Sequence, residues 1–133
     1  MATKKQTNIP VGPFEITAKE FRLGNYFKQG VVEVINRDSV YCFVPQNGQS
    51  IFQKLNGNYY KFEEVEPIQI TVGILEDLGF LSNGMGLHSP NARLYYYRST
   101  SKFIIVKGNV ELDVQFVHQL QNLYFDLYGI WLS

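Results

Sequence analysis

Cysteine and histidine are scarce in this 133-residue sequence, which excludes several kinds of site. The single cysteine, Cys42, cannot form an internal disulfide, and its place in the apolar run 40–44 favours a buried, inert thiol in a reducing, intracellular setting. His88 and His118 have no cysteine or second histidine at ligand spacing. We therefore expect no metal site and no cofactor.

Long apolar runs and net charge are also missing. No run approaches the ~18 residues of a membrane span, and the N-terminal lysines are not followed by the apolar stretch of a signal peptide. Twelve basic and twelve acidic residues cancel, so the whole protein should not be attracted to nucleic acid or to an anionic membrane. The sequence predicts a cytoplasmic protein without a membrane partner.

Catalytic signatures are absent as well. The sequence has no nucleophile elbow, Walker loop, nicotinamide fingerprint or His-Glu-x-x-His motif. The acids at 63–66 and 76–77 are adjacent in sequence, which is typical of a solvated surface rather than of two carboxyl groups facing across a cleft. A Cys/His or Ser/His pair formed only in space stays open. We predict a protein that is not an enzyme.

Apolar residues, by contrast, are plentiful at 45% of the chain, enough to form a core. Between residues 21 and 62, short β-branched and aromatic runs alternate with turn sequences, which predicts an antiparallel meander curled into a small, SH3-like barrel. One of its strands is predicted over 51–55. Residues 1–13 predict an extended polar arm, and residues 14–133 a single α+β domain.

A short helix is predicted after Pro67. Thr71 is a suitable N-cap for a helix over 72–78. Gly79 suits the left-handed position that closes such a helix, and Phe80 is then placed to contact Leu75.

A hairpin and a second helix complete the predicted segment 71–129. A loop over 82–91 leads to hairpin strands over 93–98 and 102–107. Between 113 and 128, apolar residues recur at helical spacing, and Gly129 ends the helix. The residues expected to be buried on this helix are Phe116, Leu120, Leu123 and Leu127, with His118 and Asn122 on the polar face.

The hairpin is the best candidate for a ligand site. No acid occurs from Leu78 to Val110, and aromatic residues lie among the basic residues in Arg93-Leu-Tyr-Tyr-Tyr-Arg98 and in Lys102-Phe103. This composition is typical of sites that stack nucleobases on aromatic rings and bind phosphates, although an ordinary hairpin with basic edges explains it too. The candidate binding residues for a nucleic acid or nucleotide are Arg93, Tyr95, Tyr97, Arg98, Lys102 and Lys107.

A second candidate surface lies at and before the last helix. Both hairpin faces are apolar, so the face that this helix does not cover requires the N-terminal sheet or another chain. Apolar residues also flank the polar face of the helix. The candidate interface residues are Val114, His118, Asn122 and Phe125, and the predicted partner is protein, above all a second copy of the chain.

Three segments resemble a known family. Phe21-Arg-Leu-Gly-Asn-Tyr26 resembles the LRIGNxV opening of small uncharacterised proteins from Bacteroidetes phages and mobile elements. Glu66-Pro-Ile-Gln-Ile-Thr71 with Leu78-Gly-Phe80 resembles their EPIPLT and GF motifs, and 117–125 is similar to their VHQLQNLYFALTG ending. The chain departs from the family at 72–73, where two acids are usual, and at Asp126, where alanine is usual.

The resemblance implies a mobile-element origin and no particular chemistry. It suggests a phage accessory protein, for example one that counters host defence in the host cytoplasm, or a structural component of the virion. Our leading prediction is a non-enzymatic binding protein that acts through protein contacts. The alternatives are a binder of nucleic acid or of a phosphorylated ligand, and a virion component.

Overall fold

A computed structural model describes residues 18–44 and 57–133. The chain divides into two compact units, the first ending at Ile68 and the second beginning at Gln69. The described residues contain two antiparallel sheets and two α-helices, which confirms the α+β class. The predicted arm 1–13 and the predicted strand 51–55 lie outside the described residues. One domain over 14–133 stays a prediction.

The first unit contains a four-stranded sheet in the order β1-β2-β3-β4, with each strand antiparallel to the next. The strands are β1 Tyr26–Phe27, β2 Gly30–Ile35, β3 Ser39–Phe43 and β4 Asn58–Lys61, and short 3-10 helices span Ala18–Glu20 and Phe62–Glu64. Over the described residues this is the predicted meander, but it is an open sheet and not a closed barrel.

A tight turn leads the chain into β1. The Asn25 side chain accepts a hydrogen bond from Arg22 N at 2.7 Å, and Asn25 N donates back to Arg22 O at 3.1 Å. Gly24 has φ 90°, a conformation that costs little only without a Cβ. Asn25 is fully buried, and its carbonyl accepts from Val32 N. The Arg-Leu-Gly-Asn motif therefore encodes a turn.

Aromatic rings and β-branched residues form the core of the first unit. The Phe21 ring lies 5.2 Å from Phe27 and 4.9 Å from Phe62, centroid to centroid. Val40 and Cys42 of β3 are buried in the same cluster. Burial raises the pKa of the Cys42 thiol from 9.0 to about 11, as expected for a thiol that remains protonated.

The second unit contains a five-stranded antiparallel meander in the order β5-β6-β7-β8-β9. Its elements are α1 Val72–Asp77, β5 Leu81–Asn83, β6 Gly86–His88, β7 Leu94–Tyr97, β8 Lys102–Ile105, β9 Val110–Leu112 and α2 Val117–Tyr128. The predicted hairpin is confirmed as β7 and β8. The predicted loop over 82–91 is wrong, because that segment contributes most of β5 and all of β6 to the sheet.

The caps of α1 are those that the sequence predicts, although the helix ends at Asp77, one residue before the predicted end. Thr71 Oγ1 accepts from Ile74 N at 3.2 Å, which caps the first turn. At the other end Gly79 has φ 96°, and Phe80 N donates to Leu75 O at 2.9 Å. Phe80 and Leu75 are both buried. This is the predicted left-handed closure of the helix.

The buried stripe of α2 differs from the predicted one. Leu120 is fully buried as predicted, but Leu127 is 42% exposed, and Phe116 and Leu123 are only partly buried. The remaining buried positions of the helix are Val117, His118, Gln121 and Tyr124.

The segment after α2 accounts for the burial of Gln121. Leu132 is buried, and its carbonyl accepts a hydrogen bond from Gln121 Nε2 at 2.9 Å. The returning chain thus supplies the partner that a buried amide needs. Gly129, with φ 69°, ends the helix as predicted.

Candidate functional site

The five-stranded sheet presents one buried and one partly exposed apolar face. In β7 and β8, Leu94, Tyr96 and Phe103 are buried. Tyr95 pairs with Ile104 on the opposite face, and both are half-buried. Because successive side chains of a strand point to opposite faces, this second face extends along both strands. We call this face, which contains Tyr95, Tyr97 and Ile104, the outer face.

The outer face contains an open groove of about 440 Å³. Its walls are mostly aromatic and aliphatic, and it is lined by Asn83, Gly84, Met85, Tyr95, Tyr97, Ile104, Val106 and Asn109. The Tyr95 and Tyr97 rings meet edge to face, with centroids 4.8 Å apart. The Tyr95 hydroxyl donates to Asn83 O at 2.6 Å. These contacts hold the Tyr95 side chain in place within the groove.

Two of the four hairpin bases are engaged within the chain. The Arg98 guanidinium donates from Nη1 to Gly84 O at 2.9 Å and from Nη2 to Ser82 Oγ at 2.8 Å, so it holds the β5–β6 turn. Lys102 Nζ lies 3.9 Å from a Glu111 carboxylate oxygen on the neighbouring strand. Arg98 therefore has a structural role that needs no ligand, and Lys102 has an exposed ion-pair partner within the chain.

The other two bases, Arg93 and Lys107, lie together at a separate cavity. This cavity has a volume of about 450 Å³ and is lined by Ala92, Arg93, Ile105, Val106, Lys107 and Tyr128. Arg93 O accepts a hydrogen bond from Val106 N at 3.0 Å, which holds the two cavity edges together. The six candidate binding residues are therefore divided between the outer face, two intramolecular contacts and this cavity.

The predicted interface at α2 requires one correction. His118 is fully buried, with its ring stacked 6.2 Å from Phe116, so it cannot contribute to an exposed surface. Val114 and Asn122 are partly buried. Phe125 is 46% exposed and contacts the Trp131 ring edge-on at 6.1 Å.

Sequence reasoning missed most of the residues that line these two sites, among them Met85 and Tyr128. Met85 is 71% exposed at the edge of the groove and lies in a segment predicted to be a loop. The Asn83-Gly84 pair is a known hairpin signal and could have revealed the turn. Tyr128 ends α2, and no periodicity argument places it beside residues from the hairpin.

Among residues 18–44 and 57–133 no three histidine, cysteine, aspartate or glutamate side chains are grouped so that they could hold a metal ion. In that same part of the chain no helix has the length and apolar character that a membrane crossing requires. Comparison of the chain with protein-family models, curated proteins and solved structures found no match.

The three family-like segments have structural roles in this chain. The first encodes the Arg22–Asn25 turn, and the second contains the Thr71 N-cap of α1. In the third, Gln119 Oε1 accepts from Phe116 N at 3.2 Å at the start of α2, and Gln121 binds the returning chain. Each of the three segments therefore contributes a turn, a cap or a buried contact to this fold.

Proposed function

We propose that this is a non-enzymatic binding protein that acts through protein contacts on the outer face of the five-stranded sheet. The observation that supports this most is the exposed, largely apolar groove beside Tyr95 and Tyr97. Its neighbours Met85 and Val106 are 71% and 55% exposed. Exposed apolar residues scattered singly are ordinary, whereas here Met85 and Val106 line one groove together with Tyr95 and Tyr97.

The chemistry of the groove favours a protein partner. Tyrosine and methionine are enriched in protein interfaces, where their large side chains supply contact area. The Tyr95 hydroxyl already donates a hydrogen bond to Asn83 O, so the Tyr95 side chain has little conformational freedom left to lose when a partner binds.

A second copy of the chain is the partner that we propose. The formal net charge is zero, so two copies do not repel each other as whole molecules. Glu76 and Asp77 at the end of α1 are exposed and have no ion pair among the described residues, as is also the case for Arg93 and Lys107. Opposite charges left unpaired in one copy can set the register between two.

The biological setting that we propose follows from the family resemblance. A phage or mobile-element accessory protein would act in the host cytoplasm, for example against host defence, by contacts with proteins. A virion component would use the same surface for assembly. In both settings protein contact, and not catalysis, is the molecular activity.

The test is the molar mass in solution, measured by light scattering at micromolar concentrations. We expect wild-type protein at twice the 15.3 kDa chain mass. Met85→Lys should shift the protein toward monomer, because association would bury the new ammonium group at the groove. The matched control is Leu23→Lys in the first unit, which adds the same charge at a site that is 61% exposed.

The outcomes separate the alternatives. Dimer in wild type and in Leu23→Lys, with monomer in Met85→Lys, supports the proposal. A monomeric wild-type protein refutes self-association. Equal dissociation by both variants would mean that added charge, and not the groove, is responsible.

A further inference from the structure

The Arg93–Lys107 cavity carries a second site. Three parts of the second unit meet there: the residues before β7, the end of β8 and the last turn of α2. Only Val106 also lines the groove of the outer face.

The charged side chains that line the cavity are all positive. Arg93 and Lys107 line it, and no acidic residue does. Over the described residues, neither the Arg93 guanidinium nor the Lys107 ammonium has a salt bridge or a side-chain hydrogen bond. Arg98 and Lys102 on the same hairpin are both engaged. Two free cations beside one cavity make a local positive potential that favours an anion.

Tyr128 adds a hydrogen-bond donor at the α2 side. Its hydroxyl oxygen is buried and has no hydrogen-bond partner in the described part of the chain. Burial and, to a lesser extent, the neighbouring Tyr124 raise the pKa of Tyr128, while Arg93 lowers it. The phenol therefore stays protonated near neutral pH, and Tyr128 lines the same cavity as Arg93. A buried hydroxyl without an acceptor is unfavourable, so an oxygen atom that reaches it is favoured.

We infer that Arg93, Lys107 and the Tyr128 hydroxyl bind a single phosphate group of a small ligand in this cavity. Guanidinium and ammonium groups make charge-assisted hydrogen bonds to phosphate oxygens, and a neutral hydroxyl adds one more donor. The cavity volume lies in the range that small ligands occupy. A nucleic-acid backbone requires a continuous row of basic side chains, whereas only two basic residues without an ion pair line this cavity.

The test is calorimetric titration of the full chain with inorganic phosphate, adenosine 5′-monophosphate and a single-stranded oligothymidylate. We expect saturable binding of phosphate and of the monophosphate with one site per chain. Arg93→Ala and Lys107→Ala should each weaken that binding at least about tenfold, the usual loss for a hydrogen bond to a charged group. Tyr128→Phe should weaken it several-fold, because it removes a neutral donor.

The matched control for Lys107→Ala is Lys102→Ala, which removes the same charge from the same hairpin at an engaged residue. We expect its phosphate affinity to equal that of wild type. Arg93 and Lys107 are exposed, so their alanine variants should keep the wild-type circular dichroism spectrum.

Three results would overturn the inference. Wild-type protein that binds neither phosphate nor the monophosphate at millimolar concentration would remove the site. Equal losses in Lys102→Ala and Lys107→Ala would show diffuse charge attraction instead. Much tighter binding of the oligothymidylate than of the monophosphate would identify a nucleic-acid surface. The wild-type molar mass decides self-association and the wild-type phosphate titration decides this site, so the two proposals can fail separately although Arg93 and Lys107 enter both.

Discussion

Leu120→Ala should destabilise the second unit strongly, because this side chain has no exposed surface. The substitution removes three carbon atoms, and burial of each contributes about 0.8 kcal/mol, so the transfer loss alone is roughly 2.4 kcal/mol. Incomplete collapse around the site adds a cavity penalty, which places the expected loss at about 2–5 kcal/mol. Urea unfolding followed by the helical circular dichroism signal measures it, since α2 is the longer of the two described α-helices.

Leu127→Ala is the matched control on the same helix. Sequence periodicity assigns Leu127 to the same buried stripe, but its side chain is 42% exposed. Alanine also has the higher helix propensity, so we expect a loss below about 1 kcal/mol. If Leu120→Ala lost less than about 1 kcal/mol, or if both variants lost the same amount, the described packing of α2 would be wrong.

Three further substitutions test other parts of the structure. Gly86→Ala should destabilise the five-stranded sheet by more than about 1 kcal/mol, because an added Cβ would collide with the Tyr96 backbone carbonyl; an unchanged urea midpoint would contradict the β6–β7 pairing. Thr71→Ala should cost about 0.5–2 kcal/mol through loss of the cap on Ile74 N, whereas Thr71→Ser should restore most of it; equal losses would exclude a capping role. Burial raises the pKa of Cys42 from 9.0 to about 11, so the stabilising contribution of the protonated thiol is complete below pH 9 and is lost as the pH rises toward 11. The free energy of unfolding of Cys42→Ala should therefore depend less on pH over that interval than that of wild type. An identical dependence would mean that the thiol is accessible.

Local signals predicted the helix ends well. Thr71 as N-cap, Gly79 as left-handed closure and Gly129 as the end of α2 all appear as expected. Each depends on a hydrogen bond or a backbone conformation within a few residues. Such features are determined by neighbours in the chain and can be predicted without the tertiary structure.

Strands β5 and β6 were missed for a physical reason. They are three residues each, and they lack an alternating apolar pattern. What makes them strands is pairing: Leu87 lies opposite Tyr96 in the neighbouring strand, and Arg98 binds the turn that joins them. Such partners are distant in the chain and become neighbours only in the folded sheet.

The candidate sites show the same division. Composition alone identified the hairpin as basic and aromatic, but four bases of equal charge cannot be ranked by composition. In the structure Arg98 and Lys102 have partners within the chain. Arg93 and Lys107 have no salt bridge among the described residues and line a cavity with Tyr128. Local sequence thus determined the α+β class, the hairpin and the caps, which depend on short-range hydrogen bonds and periodicity. Tertiary structure decided which side of α2 is buried and which charges are paired, because both depend on the groups that the fold brings into contact.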